Sequence, residues 1–248
     1  MRPDSVICWL WKKHRMGRTD FRAEHVNALR AMVQRHYPHP HRFICVTAEA
    51  EGIDRRVEVI LDWQDFADVP SPHGGKNPSC YRRLRMYHPD AAQWFGQRFV
   101  SLDLDAVIVR DLTPIWDRPE DFVIWGDKTN PKTPFNGSMQ LLTAGTRSRA
   151  WTEFHPVISP PRALKAGYYG SDQGWLSYLF KDKAATWTRV DGVYSFRNHL
   201  KRVTKQLPAD ARICFFHGED KPWGPGMAEH YPWIGQHYHA NERWAAAS

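Results

Sequence analysis

The 248-residue sequence predicts an α/β fold with a mostly parallel central sheet and helices on both faces of that sheet. Short apolar runs alternate along the chain with segments whose apolar residues recur at helical spacing. Clusters of glycine, proline and other turn residues separate these segments. Because strand, helix and strand follow one another, the pattern is typical of sheets whose strands run parallel.

The elements of the first half of the chain are predicted from apolar spacing. Strands are expected at residues 6–11, 43–46 and 57–61, and a further strand should carry Asp103. Two helices are expected between them, one with Val26, Leu29, Met32 and Val33 on a single face and one through Tyr81, Leu84 and Met86. In sheets of this kind, ligands bind beyond the carboxyl ends of the strands.

The second half continues with two predicted strands, at residues 122–125 and 138–142. Ser171 is a suitable N-cap for a helix through Trp175, Leu176 and Leu179. The aromatic-rich tail, residues 231–248, is interpreted either as a packing strap or as a lid. No linker divides the chain, so a single domain is expected, with residues 1–105 as a nucleotide-binding half and 106–230 as a donor-sugar and acceptor half.

Composition narrows the class of protein. The four cysteines have no paired spacing, and Cys8, Cys45 and Cys214 lie within predicted strands, which is typical of core thiols in a reducing compartment. No run approaches 18 apolar residues, so no transmembrane segment is predicted and a cytoplasmic location is expected. The net charge of +7 favours an anionic partner, a nucleotide diphosphate or a polyanion such as DNA.

Asp103 and Asp105 are separated by one residue at the end of an apolar run. Side chains two apart at a strand end face the same side, so the two carboxylates should converge. Converging like charges repel unless a cation lies between them. The pair therefore indicates a hard divalent ion with positions left for phosphate oxygens.

A second polar group follows an apolar run near the end of the chain. His217 closes that run, Gly218 allows backbone to approach a ligand, and Lys221 can reach the same anion. With the two aspartates, this group predicts a metal-and-phosphate site.

These segments resemble the glycogenin-like, retaining nucleotide-sugar glycosyltransferases of family 8. The matching motifs are at residues 102–109, 135–139, 170–176 and 217–223, in the family's order. The resemblance implies a single GT-A domain, a Rossmann-like fold of nucleotide-diphospho-sugar transferases. It also implies a hexosyltransferase that uses manganese or magnesium and a UDP-sugar donor and retains the anomeric configuration.

The same resemblance assigns residues to roles. Asp103, Asp105 and His217 would hold the metal ion, and the imidazole in this set favours manganese over calcium. Residues of the cofactor-binding site would be Arg83, Asp103, Asn136, Gly218 and Lys221. Asp172 and Gln173 would face the donor sugar and the reaction centre.

Two alternatives from other classes stay open. Asp103 and Asp105 also resemble the nucleophile motif of haloacid-dehalogenase-type phosphatases, although that motif normally lies on the first strand of its domain. A basic nucleic-acid-binding module would explain the charge but lacks recognisable motifs. The acceptor is not identified: a cell-surface glycan, a lipid-linked sugar, a protein side chain and hydroxylated viral DNA all suit the scaffold, and only the basic charge favours an anionic one. The oligomeric state is not predicted.

Overall fold

The computed structural model of the protein describes residues 1–11, 21–72, 80–126 and 131–238. Within these ranges it has ten strands: β1 Ser5–Leu10, β2 Arg42–Thr47, β3 Glu58–Ile60, β4 Arg98–Leu102, β5 Ala106–Ile108, β6 Phe122–Gly126, β7 Phe135–Thr143, β8 Ala185–Trp187, β9 Val193–Ser195 and β10 Ile213–Phe215. The predicted strands are therefore present.

Seven strands form the central sheet in the order β3-β2-β1-β4-β7-β6-β8. The pairs β2–β3, β1–β2, β1–β4 and β6–β8 are parallel, and β7 is antiparallel to both of its neighbours. The prediction of a mostly parallel sheet is confirmed. Strand order reverses beside β1, and the carboxyl ends of β1 and β4 meet at the same edge.

The described α-helices are α1 Ala23–His36, α2 Ala92–Phe95, α3 Thr113–Trp116, α4 Arg149–Thr152, α5 Ser159–Lys165, α6 Asp172–Phe180, α7 Met227–His230 and α8 Pro232–His237. The segment through Tyr81, predicted as a helix, is a 3₁₀ helix at Cys80–Tyr87 rather than an α-helix. The helix α1 ends two residues before Pro38, which lacks the N–H needed to continue it.

Both faces of the sheet are covered, as predicted. Along β1, Val6 and Cys8 pack into a core shared with α1, whereas Ile7 and Trp9 pack into a second core shared with the 3₁₀ helix and α6. This alternation follows from the two-residue period of a strand. The apolar face predicted for α1 is the buried one, and each of its large side chains contributes about 1.5–3 kcal/mol by leaving water.

The strand predicted to carry Asp103 ends one residue before it, because β4 stops at Leu102. The chain then bends through Leu104 and continues as β5 in a second, three-stranded sheet of order β5-β10-β9. Leu104, between the two aspartates, is buried in the core. The link between the two sheets therefore carries both carboxylates.

The C-terminal segment packs onto the first core through Tyr231, Trp233, Ile234 and Tyr238. This agrees with the strap interpretation for residues 231–238, whereas residues 239–248 lie outside the described residues. The cysteines are free thiols, and Cys8, Cys45 and Cys214 are buried in strands as predicted. None of the helices in the described ranges has the length and hydropathy that crossing a bilayer requires.

Candidate functional site

Asp103 is held against β7 by its backbone and its side chain. Its N–H donates to the carbonyl of Ser138 at 2.9 Å, and the Ser138 hydroxyl donates to Oδ2 at 2.6 Å. The side chain keeps 31% of its surface exposed, so the carboxylate lies at the boundary between core and solvent.

Arg83, on the 3₁₀ helix, joins Asp103 to the start of α6. Its Nη1 lies 2.5 Å from Oδ1 of Asp103, and its Nε and Nη2 lie 2.9 and 2.8 Å from Oδ2 of Asp172. Burial by itself lowers the pKa of Arg83, but the two carboxylates outweigh burial and the pKa is raised, so the guanidinium stays charged. One buried cation thus holds two acidic groups from different elements, one just after β4 and one at the start of α6.

Asp172 begins α6 and is 2% exposed. Burial raises its pKa, and Arg83 opposes that rise. Ser171 occupies the predicted N-cap position, but its hydroxyl accepts from the Cys80 N–H at 3.1 Å and does not cap α6. The side chain of Ser171 instead fastens the 3₁₀ helix, and with it Arg83, to the start of α6.

Gln173 lies beside Asp172 and is partly exposed. The Gln173 side chain passes close to Gly170. A Cβ built on Gly170 would lie 2.4 Å from the Cγ of Gln173. Gly170 also has a φ of +102°, which side-chain-bearing residues rarely adopt. The glycine therefore permits both the turn into α6 and the course of the Gln173 side chain.

Asn136 and Gly137 line the same region from β7. The amide oxygen of Asn136 accepts from the N–H of Ser138 at 2.9 Å. A Cβ on Gly137 would lie 2.6 Å from Nη2 of Arg83, and the Gly137 carbonyl accepts from Nη1 of Arg83 at 3.3 Å. Only a residue without a side chain leaves the guanidinium in its present place.

Asp105 is buried, and its Oδ2 is in contact with the Nζ of Lys221. The same ammonium donates to the carbonyl of Phe216 at 3.1 Å. Burial raises the pKa of Asp105 to about 6, Lys221 opposes that rise, and nearby Asp103 adds to it. The two aspartates are therefore close enough to interact, but each is paired with its own cation.

His217 and Gly218 follow β10 after one intervening residue, Phe216. The Phe216 N–H donates to the Asp105 carbonyl at 2.9 Å, which brings this segment alongside the aspartate link. The imidazole of His217 stacks on Trp125, with ring centroids 5.1 Å apart. Gly218 has a φ of +77° and lies exposed, so it turns the chain towards Lys221.

The metal assignment remains a prediction. Among the described residues, no group of three histidine, cysteine, aspartate or glutamate side chains is arranged to hold a metal ion. The donor chemistry nevertheless suits manganese or magnesium, since two interacting carboxylates lie next to a segment that carries an imidazole. Lys221 contacts Oδ2 of Asp105, so its ammonium lies at the same candidate site as the carboxylates.

A cavity of about 690 Å³, which the sequence did not reveal, opens beside this site. It lies beyond the carboxyl ends of β1 and β2 and against the first turn of α1. The lining residues are Leu10, Phe21, Arg22, Ala23, Glu24, Asn27, Ala48, Glu49, Ala50, Glu51 and Gly52. The rule that ligands bind at a reversal of strand order could have found it. No motif marks these residues, so no specific role was predicted for them.

No protein-family model and no curated protein sequence matches the chain. Solved structures do. The galactosyltransferase LgtC, in complex with donor and acceptor sugar analogues, is 16% identical with a TM-score of 0.62, and the match covers 98% of this chain and 99% of that one.

Two further similar structures are glycosyltransferases. GlyE of Streptococcus pneumoniae TIGR4 is 13% identical with a TM-score of 0.56, and the bifunctional WbbM is 14% identical with a TM-score of 0.57. Both matches cover 98% of this chain, but only 64% of the GlyE chain and 51% of the WbbM chain. The protein therefore has a GT-A type glycosyltransferase fold.

Proposed function

We propose that the protein is a metal-dependent glycosyltransferase that moves a hexosyl group from a UDP-sugar to a hydroxyl acceptor. One observation carries the proposal: Arg83 holds Asp103 and Asp172 together at the carboxyl edge of the sheet. The GT-A type fold supports it, because it is the fold of the sugar-transferring LgtC, GlyE and WbbM. Membership of the glycogenin-like family 8 is part of this proposal.

The leaving diphosphate sets the first chemical requirement. Negative charge builds on its oxygens during transfer, so fixed cations aimed at those oxygens lower the barrier. Asp103, Asp105 and His217 would hold manganese or magnesium, which when bound would supply Lewis-acid stabilisation of the leaving diphosphate. Lys221 would add its ammonium to the same oxygens, and Gly218 would let backbone N–H groups approach them.

The sugar sets the second requirement. Asn136, Asp172 and Gln173 would offer amide and carboxylate groups to the sugar, and such groups select among sugar hydroxyls because an unmatched partner is left unpaired. Arg83 would fix the orientation of Asp172 and supply positive charge between the sugar and the phosphates. Retention of the anomeric configuration is expected from the family resemblance.

The acceptor is proposed only as a hydroxyl group. The basic stretch around Lys201 favours an anionic polymer, but the Nζ of Lys201 lies 2.6 Å from a carboxylate oxygen of Asp220. Part of that charge is therefore balanced within the protein, and a neutral glycan fits equally well.

Hydrolysis of a donor without acceptor tests the proposal. The protein is incubated with manganese and a panel of UDP-, GDP- and CMP-sugars, and release of the free nucleotide is followed by chromatography. Slow release of UDP from one UDP-sugar, abolished by EDTA, is the expected result. Hydrolysis of p-nitrophenyl phosphate, with no nucleotide released from any donor, would favour the phosphatase alternative and overturn the proposal.

A further inference from the structure

Three aromatic rings join the C-terminal segment to the beginning of α1. The indole of Trp223 stacks on the imidazole of His25, with centroids 3.8 Å apart and planes 23° apart. Phe21 meets both rings edge-on, 5.6 Å from Trp223 and 6.1 Å from His25. We call these three residues the ring cluster. It connects segments about 200 positions apart in the sequence, and offset stacked and edge-on pairs are favourable aromatic geometries.

The α1 side of the ring cluster is fixed to the backbone. His25 is 3% exposed, and its Nδ1 accepts from the N–H of Arg22 at 2.8 Å. This bond occupies the ring nitrogen and assigns the ring proton to Nε2. The imidazole therefore cannot rotate freely, and it offers Trp223 a rigid surface.

On the C-terminal side of the ring cluster, Trp223 is close in sequence to Lys221, the proposed phosphate-binding residue. Lys221 lies two residues before Trp223, and only Pro222 separates them, so the direction of the chain between them is restricted. The Nζ of Lys221 lies 5.4 Å from the centre of the Phe21 ring. Phe21 thus lies against the ammonium, meets the other two rings edge-on and lines the cavity beside α1.

The cavity and the Lys221 ammonium suit the two parts of a nucleoside diphosphate, the nucleoside and the phosphates. The cavity is bounded by the first turn of α1 and has room for a nucleoside. Lys221 lies beyond it with a charge suited to phosphate. We propose that His25 and Trp223 are positioning residues that hold Lys221 at a fixed place relative to the nucleoside cavity, so that a nucleoside diphosphate meets both at once. This rests on the proposed function and adds to it residues that touch neither donor nor metal.

The test compares binding of UDP with binding of uridine, which lacks phosphates, by calorimetry in the presence of manganese. Trp223→Leu should weaken UDP binding about tenfold. A loss of this size is a large part of the affinity that one hydrogen bond from the Lys221 ammonium to phosphate contributes. Uridine affinity should change less than about twofold, because its cavity keeps its lining. Trp223→Tyr keeps a ring on His25 and should restore most of the UDP affinity. Trp233→Leu removes a buried tryptophan of the same C-terminal segment outside the ring cluster and serves as the control.

A double-mutant cycle separates positioning from general loosening. Lys221→Met should cost much less UDP affinity in the Trp223→Leu background than in the parent, because the two residues act together. Additive effects, or equal losses of UDP and uridine, would overturn the inference. A parent protein that binds no nucleoside diphosphate would instead refute the proposed function. Thermal unfolding of each variant confirms that the folded protein is being compared.

Discussion

Arg83 donates to a single oxygen of Asp172 from two of its nitrogens, at 2.8 and 2.9 Å. Both side chains are at least 94% buried, so neither charge is tolerated without the other. The remaining guanidinium nitrogen reaches Asp103. This three-residue arrangement joins the 3₁₀ helix, the end of β4 and the start of α6, and four predictions follow from it and from its surroundings.

Gly137→Ala should displace Arg83 and Asp172 without changing either of these residues. The new Cβ would lie 2.6 Å from Nη2 of Arg83 and 3.2 Å from Oδ2 of Asp172, so the ion pair must shift. We expect donor hydrolysis to fall by about 10²-fold, as when a preorganised polar group is displaced. Gly235→Ala is the matched control, because its Cβ would meet Ala228 at an ordinary 3.5 Å. Parental activity in Gly137→Ala would contradict the role given to Arg83.

Asp172→Asn separates sugar chemistry from phosphate binding. If the carboxylate faces the donor sugar, transfer should fall by about 10² or more while UDP affinity hardly changes. Asp182→Asn, on an 81% exposed side chain just beyond the same helix, should leave both unchanged. Full turnover in an Asp172→Asn protein with a lowered thermal midpoint would show that Asp172 only supports the fold.

Asp105→Ala should abolish metal-dependent UDP binding, measured by calorimetry with and without manganese. The structure adds a second expectation: the variant leaves the buried Lys221 ammonium without its carboxylate, which costs about 3–5 kcal/mol of stability. Asp105→Asn combined with Lys221→Met removes both charges and should regain most of that stability, yet bind no manganese. Asp68→Asn, at an exposed position, is the control. Tight UDP–manganese binding by the double variant would refute the metal assignment.

Stability should depend on pH through His25. Burial, with the charges of Arg22 and Lys221, lowers its pKa from 6.5 to about 4, and these outweigh Glu24, whose Oε1 lies 3.6 Å from Nε2. Because the unfolded chain takes up the proton first, the contribution of neutral His25 is complete above about pH 6.5 and is lost as the pH falls towards 4. The whole change in the free energy of unfolding is of the order of 3 kcal/mol.

Urea unfolding at pH 7 and pH 5 measures this dependence. His25→Phe keeps a ring against Trp223 but cannot take up a proton, so its stability should fall less between the two pH values than that of the parent. His36, whose pKa is also lowered to about 4, is unchanged in both proteins and cancels in the comparison. Identical pH dependence of the two proteins would show that folding does not lower the pKa of His25.

Local sequence determined the elements on which the site is built. The apolar run of β1 and the single apolar face of α1 were readable because burial imposes such patterns on any sequence that forms these elements. The aspartate link, Asn136 and the start of α6 were also singled out from motifs. Local pattern did not predict that the helix at Cys80–Tyr87 is a 3₁₀ helix. It also did not predict that the aspartate segment is divided between two sheets. Those depend on which strands become neighbours.

The pairing of charges was decided only by the tertiary structure. Asp103 and Asp105 are separated by a single residue, yet Arg83 binds the first and Lys221 the second. Arg83 comes 20 positions before its partner and Lys221 comes 116 positions after its own. No spacing in the sequence predicts such contacts, because they arise from the packing of elements distant in the chain. The stack of His25 on Trp223 and the cavity beside α1 have the same origin.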